Sequence, residues 1–342
     1  MVIVSIAKPY CLNDTITTMK PAPQWFIFLL VSLLLLVSST TFGKEIRAHC
    51  QIETKSEKMS GGTIVYDKAG KGTNILLLHG LFAAKEQWQT LLCSLAAAGY
   101  TAIAPDLPGY GKSDDFPLAV YPLYNQVALL RQFTDRINVT QLDIAGSSMG
   151  GTIATLYANR FPENVRTLAF IGSPLGIVGW SNEVSNLRYR GINPFIPMND
   201  DQFDLELRLL FVNPLIVPSS QKKEIISNYI TLNRHYVDVW NIVTSYANVL
   251  WNESLSLGPT LIIWGKDDQI FDISGATKLR RQIPGSEVHR LPHAGHLLLI
   301  ENADEVAPIY LDFLQSHKMT ATKKKTGAKH IPIKNLKKNS KL

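Results

Sequence analysis

The chain has 342 residues, of which 46% are hydrophobic, enough for one large core or two small ones. Its net charge of +6 is carried by one end: Lys318 to Leu342 holds nine lysines and no acid. The rest of the chain is mildly acidic, which argues against nucleic acid as the partner of the folded body.

Trp25 to Val37 is a nearly unbroken apolar run. It is short for a membrane-spanning helix and right for a signal-peptide core. Extended through Phe42 it becomes marginally long enough to span. Met19-Lys20-Pro21 makes a better start for such a leader than Met1, and Thr41-Phe42-Gly43 offers a cleavage site. Residues 1–43 therefore read as a signal peptide or signal anchor, and the protein as exported: membrane-anchored, periplasmic or secreted. The three cysteines, Cys11, Cys50 and Cys93, fit no metal-ligand spacing, and no metal or organic cofactor is implied. Cys93 lies in the apolar run Leu91-Leu92-Cys93-Ser94-Leu95 and reads as a small buried hydrophobe. Pairing with Cys50 in an oxidising compartment is the alternative.

Ile46 to Asp67 reads as two opening strands joined at Gly61-Gly62. Asn74-Ile75-Leu76-Leu77-Leu78 is continuously apolar, as expected for a strand covered on both faces of a parallel sheet, and it ends at His79-Gly80. Helix is expected over 86–99, strand over 101–105 and helix over 124–137. A Pro- and Gly-rich loop runs from Asp106 to Ser113. A further strand spans 142–145 and another 167–172. The alternation then stops. Residues 173–257 have helical patterns and many aromatics, and read as an inserted helical cap. Strand 260–264, helix 273–282, strand 287–291 and a closing helix to about Gln315 resume the alternation. Repeated strand–helix units predict an α/β fold, a mostly parallel sheet with helices on both faces. The divisions are 44–172 and 258–317 for the core, 173–257 for the cap, and 318–342 for a lysine-rich, disordered tail.

The chemistry centres on Gly146-Ser147-Ser148-Met149-Gly150, a Gly-x-Ser-x-Gly between a strand and a helix. This is the nucleophile-elbow pattern: a tight turn that lifts the central serine clear of the backbone at a helix N-terminus. A serine hydroxyl needs a base within hydrogen-bond reach, and the base needs an orienting carboxylate. His296 is the candidate base, with His293 as its rival. Asp268 is the candidate acid, with Asp267 as its rival. The end of the preceding strand reads Gly172-Ser173-Pro174 and offers no carboxylate. The backbone N–H groups of Leu81 and Met149 are the candidate oxyanion donors. His79 and Asp106 read as residues that tie their loops.

With these motifs the chain resembles the α/β-hydrolases from about Thr63 to Gln315. The residues that carry the resemblance are His79-Gly80, Asp106 to Ser113, Gly146 to Gly151 and Trp264-Gly265-Lys266-Asp267-Asp268. The stretches Ile262 to Ala276 and Asn193 to Pro197 are similar to those of membrane-anchored monoacylglycerol lipases and Moraxella-type bacterial lipases. Those families also carry an apolar N-terminal segment. The resemblance implies hydrolysis of acylglycerol or other carboxylic esters. The expected partners are a small ester or lipid and, through the leader and the lysine tail, a membrane surface. Carbon–carbon hydrolysis of ring-fission products, or perhydrolysis, is the alternative use of the same triad. A catalytically idle ligand-binding protein is a third.

Overall fold

A computed structural model describes residues 50–252, 255 and 257–326. The expected leader, Met19 and Cys11 lie outside the described residues, as does the tail beyond Thr326. Eight strands are described: β1 (Glu53–Met59), β2 (Gly62–Ala69), β3 (Thr73–Leu78), β4 (Tyr100–Pro105), β5 (Leu142–Gly146), β6 (Val165–Ile171), β7 (Thr260–Gly265) and β8 (Glu287–Leu291). They form one sheet in the order β1-β2-β4-β3-β5-β6-β7-β8. β1, β2 and β4 pair antiparallel, and the remaining neighbours pair parallel. Charged β1 forms an exposed edge, a pattern that discourages pairing with a second sheet.

The central strands are apolar throughout because both faces are covered. Leu76, Leu78, Ile144, Phe170 and Ile262 point into one cluster, packed against α2 (Leu123–Arg136), α3 (Met149–Arg160) and α9 (Ser274–Gln282). The alternate residues Ile75, Leu77, Ala145, Ile171 and Ile263 point into the other. There they meet α1 (Gln89–Ala97) and α11 (Ala303–Thr326). This is the α/β arrangement expected from the strand–helix alternation.

Among the described residues, five helices lie between β6 and β7: α4 (Asn182–Tyr189), α5 (Asp200–Leu210), α6 (Ser219–Thr231), α7 (Asn233–Thr244) and the short α8 (Val249–Asn252). The short α10 (Leu298–Glu301) precedes α11. No described helix is long and apolar enough to cross a membrane.

Two expectations are corrected. The closing helix does not stop near Gln315 but continues to Thr326, so the first residues of the lysine-rich stretch extend a helix rather than a disordered tail. Leu314, Phe313 and Tyr310 anchor it in the core, and lysine is a good helix former. Cys93 is not a free buried hydrophobe: it forms a disulfide with Cys50, with the Cα atoms 5.5 Å apart. Leu91, Leu92 and Leu95 are buried, as the apolar run around Cys93 predicts. The alternative reading, pairing with Cys50, is the one the structure shows; the apolar run alone could not decide it, because the pairing depends on where the chain enters β1. The bridge closes a loop with a sequence separation of 43. Loop-closure entropy then assigns it up to about 4 kcal/mol. Cys50→Ser is expected to lower the melting temperature as much as reductant lowers that of the wild type, and reductant is expected to leave the variant unmoved.

Candidate active site

The connection from β3 goes to β4 on one side, and the chain then crosses to β5 on the other. Ligands of open parallel sheets collect at such a switch point, beyond the carboxyl ends of the strands. Here Leu78 is the register partner of Gly146. The turn after β3 and the turn after β5 therefore face each other.

Ser148 sits at the second turn with φ 52° and ψ −122°, a left-handed conformation that costs about 1–3 kcal/mol for a residue with a side chain. The surroundings enforce it. Ser147 N–H donates to the Leu78 carbonyl at 3.1 Å, and Gly151 and Leu175 N–H donate to the Ser148 carbonyl at 2.9 and 3.3 Å. A Cβ on Gly146 would lie 2.2 Å from the Gly150 carbonyl oxygen, and one on Gly150 would lie 2.1 Å from the Leu78 oxygen. Neither position accepts a side chain. Met149 begins α3, so its N–H has no intrahelical acceptor. Across the gap, the Gly80 backbone presses so close that a Cβ there would lie 3.3 Å from Ser148 Cβ.

His79 holds that first turn. Its Nε2 accepts from Leu107 N–H at 2.9 Å and its Nδ1 lies 2.8 Å from the Gly80 carbonyl. These partners require a neutral ring donating from Nδ1, and burial holds its pKa down to about 4. Asp106 ties the neighbouring loop by accepting from Lys85 and Lys112 N–H at 2.8 and 2.9 Å. Burial, partly opposed by Lys85, pushes the Asp106 carboxyl up to about 7. Both residues are loop anchors, as their sequence positions suggest.

Asp268 and His296 come from the loops after β7 and β8. Asp268 Oδ1 accepts from Ile270 and Phe271 N–H at 2.8 and 3.0 Å. Its Oδ2 accepts from the Ser173 hydroxyl at 2.5 Å and lies 3.1 Å from His296 Nδ1. Ser173 Oγ is also 3.0 Å from His296 Nδ1. The single hydroxyl proton goes to the carboxylate, and the oxygen then accepts from the ring N–H. Asp267 and His293 are exposed. Ser173 is the residue sequence reasoning misses: the sequence shows that no carboxylate follows β6, but a hydroxyl in its place carries no signal of its own.

One cavity is lined by Gly80, Leu81, Ser148 and His296 from the core and by Trp180, Phe195, Glu206, Leu210, Tyr229 and Trp240 from the segment between β6 and β7. Its wall is aromatic: Trp180 stacks on Trp240 at 5.4 Å and on Phe271 at 4.9 Å between ring centroids. No Lys or Arg lines it. Glu206 is a second feature not foreseen. Among the described residues no cluster of three or more metal-ligating side chains occurs.

A model of the alpha/beta hydrolase fold matches residues 73–303. The chain belongs to the alpha/beta hydrolase fold family. Within it, the chain is 28% identical over 271 residues to a monoacylglycerol lipase of Xenopus laevis, covering 75% of this chain and 80% of the relative. Lipase 1 of Psychrobacter immobilis is 26% identical, with 78% and 86% covered. A 2-hydroxy-6-oxo-6-phenylhexa-2,4-dienoate hydrolase of Burkholderia cepacia is also 26% identical, with 76% and 94% covered. Among solved structures, a bacterial membrane phospholipase A superposes with a TM-score of 0.73 at 28% identity, covering 85% of this chain and 93% of the other. These relatives, lipases and a carbon–carbon bond hydrolase, support a hydrolase.

Proposed function

We propose that this alpha/beta hydrolase is a serine carboxylic-ester hydrolase of acylglycerols or similar lipid esters, with Ser148 as nucleophile, His296 as base and Asp268 as orienting acid. The observation that carries this reading is the Asp268–His296 contact at 3.1 Å, with the ring lining the same cavity as the strained Ser148. Ser148 Oγ attacks the ester carbonyl carbon while His296 Nε2 takes its proton. The oxyanion accepts from the N–H groups of Leu81 and Met149, each donor being worth about 3 kcal/mol in the transition state. Collapse expels the alcohol, which takes the proton back from His296. Water then attacks the acyl-enzyme by the same relay and releases the acid.

The aromatic, apolar wall suits an acyl chain. The dienoate hydrolase relative supports carbon–carbon hydrolysis as a second reading, but a dienoate carries a carboxylate and the cavity offers no Lys or Arg to meet it. A panel of monoacylglycerols, p-nitrophenyl esters of graded acyl length and a dienoate decides between them, with Ser148→Ala as the blank. Esters are expected to turn over and the dienoate to fail. If no ester is hydrolysed faster by wild type than by Ser148→Ala, the assignment is wrong.

Ser173 is a positioning residue on this reading. Its hydroxyl bonds both the acid and the base, and a hydrogen bond to a charged group contributes about 1.5–3 kcal/mol. Ser173→Ala is expected to lower kcat about tenfold with KM unchanged, and Ser173→Thr to recover part of the loss. We further infer that the protein is exported. The Cys50–Cys93 disulfide and the apolar run before it support an oxidising compartment, and the N-terminal segment and lysine tail are the proposed membrane contacts.

A further inference from the structure

The buried stripe of α5 reads Phe203, Glu206, Leu207 and Leu209. Helical spacing calls for a hydrophobe at 206, yet a carboxylic acid stands there. Glu206 is 4% exposed, and its Oε2 is fully enclosed with no hydrogen-bond partner. The side chain belongs to the wall of the cavity that also contains Ser148 and His296. A second polar group in this wall is in the same condition: Gln87, 6% exposed, has its Nε2 enclosed and unpartnered, while its Oε1 accepts from Gly80 N–H at 3.5 Å. Buried polar atoms are almost always paired, and two unpaired ones in a single apolar cavity point to a polar ligand that completes them.

The surroundings select the ligand's chemistry. The titratable groups facing the site are Tyr229 on α6, Tyr236 on α7 and His296 after β8. No cation contributes to the state of Glu206; burial alone raises its pKa to about 8. The acid is therefore neutral at neutral pH, with one O–H donor and a carbonyl acceptor. Arg188, the cation on the nearby aromatics, sits over the Trp180 and Trp240 rings at 5.6 and 5.7 Å. A neutral carboxyl in a wall without lysine or arginine matches a group that both donates and accepts. An alcohol hydroxyl does so; a phosphate or a carboxylate does not.

We propose that Glu206 forms a polar subsite that receives a free hydroxyl of the substrate, so that the cavity selects hydroxyl-bearing neutral esters such as monoacylglycerols over plain alkyl esters of equal length. This rests on the ester-hydrolase reading for its substrate but not for its test. A site built around a substrate hydroxyl rejects the analogue lacking it, because its own polar groups are then left unpaired.

The first measurement is binding, by tryptophan fluorescence, of glyceryl monodecyl ether, which no esterase cleaves. Glu206→Leu is expected to weaken binding at least ~10-fold and Glu206→Gln to keep most of it, since an amide also donates and accepts. The second compares kcat/KM for monodecanoylglycerol and propyl decanoate. The preference of the wild type for the glycerol ester is expected to fall at least ~10-fold in Glu206→Leu, the glycerol ester losing more than propyl decanoate. Equal ether affinity in wild type and Glu206→Leu overturns the subsite and leaves the carboxyl facing water alone. Loss of both esters in parallel overturns it too. Failure of wild type to cleave any ester, with ether binding still dependent on Glu206, sinks the enzymatic reading and leaves the subsite standing.

Discussion

Ser148→Ala is expected to lower kcat on esters about a millionfold, and adding His296→Ala to it to cost almost nothing more. On the proposed mechanism the two side chains act as one unit. Without the hydroxyl there is no proton for the imidazole to take, and without the imidazole the hydroxyl stays a weak nucleophile. Asp268→Asn is expected to cost about ten-thousandfold with little change in fold. An amide at this position presents an N–H towards His296 Nδ1 and Ser173 Oγ, the two atoms now 3.1 and 2.5 Å from Oδ2. It would favour the tautomer protonated on Nε2, which has no lone pair there for the serine proton. Single and double variants assayed on one ester, together with labelling by a fluorophosphonate, check this. Multiplicative losses for Ser148 and His296, or full labelling of Ser148→Ala, would show that another group carries the chemistry.

Glu206→Gln is expected to stabilise the protein in alkaline solution by on the order of 5 kcal/mol. Burial raises the carboxyl from 4.5 to about 8 in the folded state. The folded chain therefore holds the proton through a range in which the unfolded chain has lost it. Stability falls as pH rises from the lower value, and the loss is complete above the higher one. Glutamine does not titrate, so the two proteins should match in acid and diverge up to about pH 8. Asp106, also raised, contributes to the slope in both proteins and cancels in the difference. Denaturant unfolding across that range reads the effect; parallel curves for the two proteins would mean that the carboxyl is solvated when ionised.

Much of this was legible along the chain. Strands covered on both faces are apolar without alternation, which is why β3 to β7 stand out at 75–78, 100–105 and 260–265. The elbow at Ser148 is local geometry: the glycines at 146 and 150 are required by atoms within a few residues or on the adjacent strand. The paired loop residues Asp268 and His296 were legible because each follows a recognisable strand. What escaped was chemistry that depends on distant partners. Ser173 and Glu206 look ordinary in sequence, and Cys93 looks like any small core residue.

Sequence alone determined the alternation of strands and helices, the turn that exposes Ser148, and the loops that hold Asp268 and His296, because local sterics and burial set each of these. Only the tertiary structure decided that Asp268 rather than Asp267 meets the imidazole, that a serine hydroxyl completes the pair, that Cys50 reaches Cys93, and that a carboxylic acid is shut into the cavity wall. Each of those outcomes is a contact between segments that fold together from far apart in the chain. A hydrogen bond or a missing partner exists only once both segments are in place.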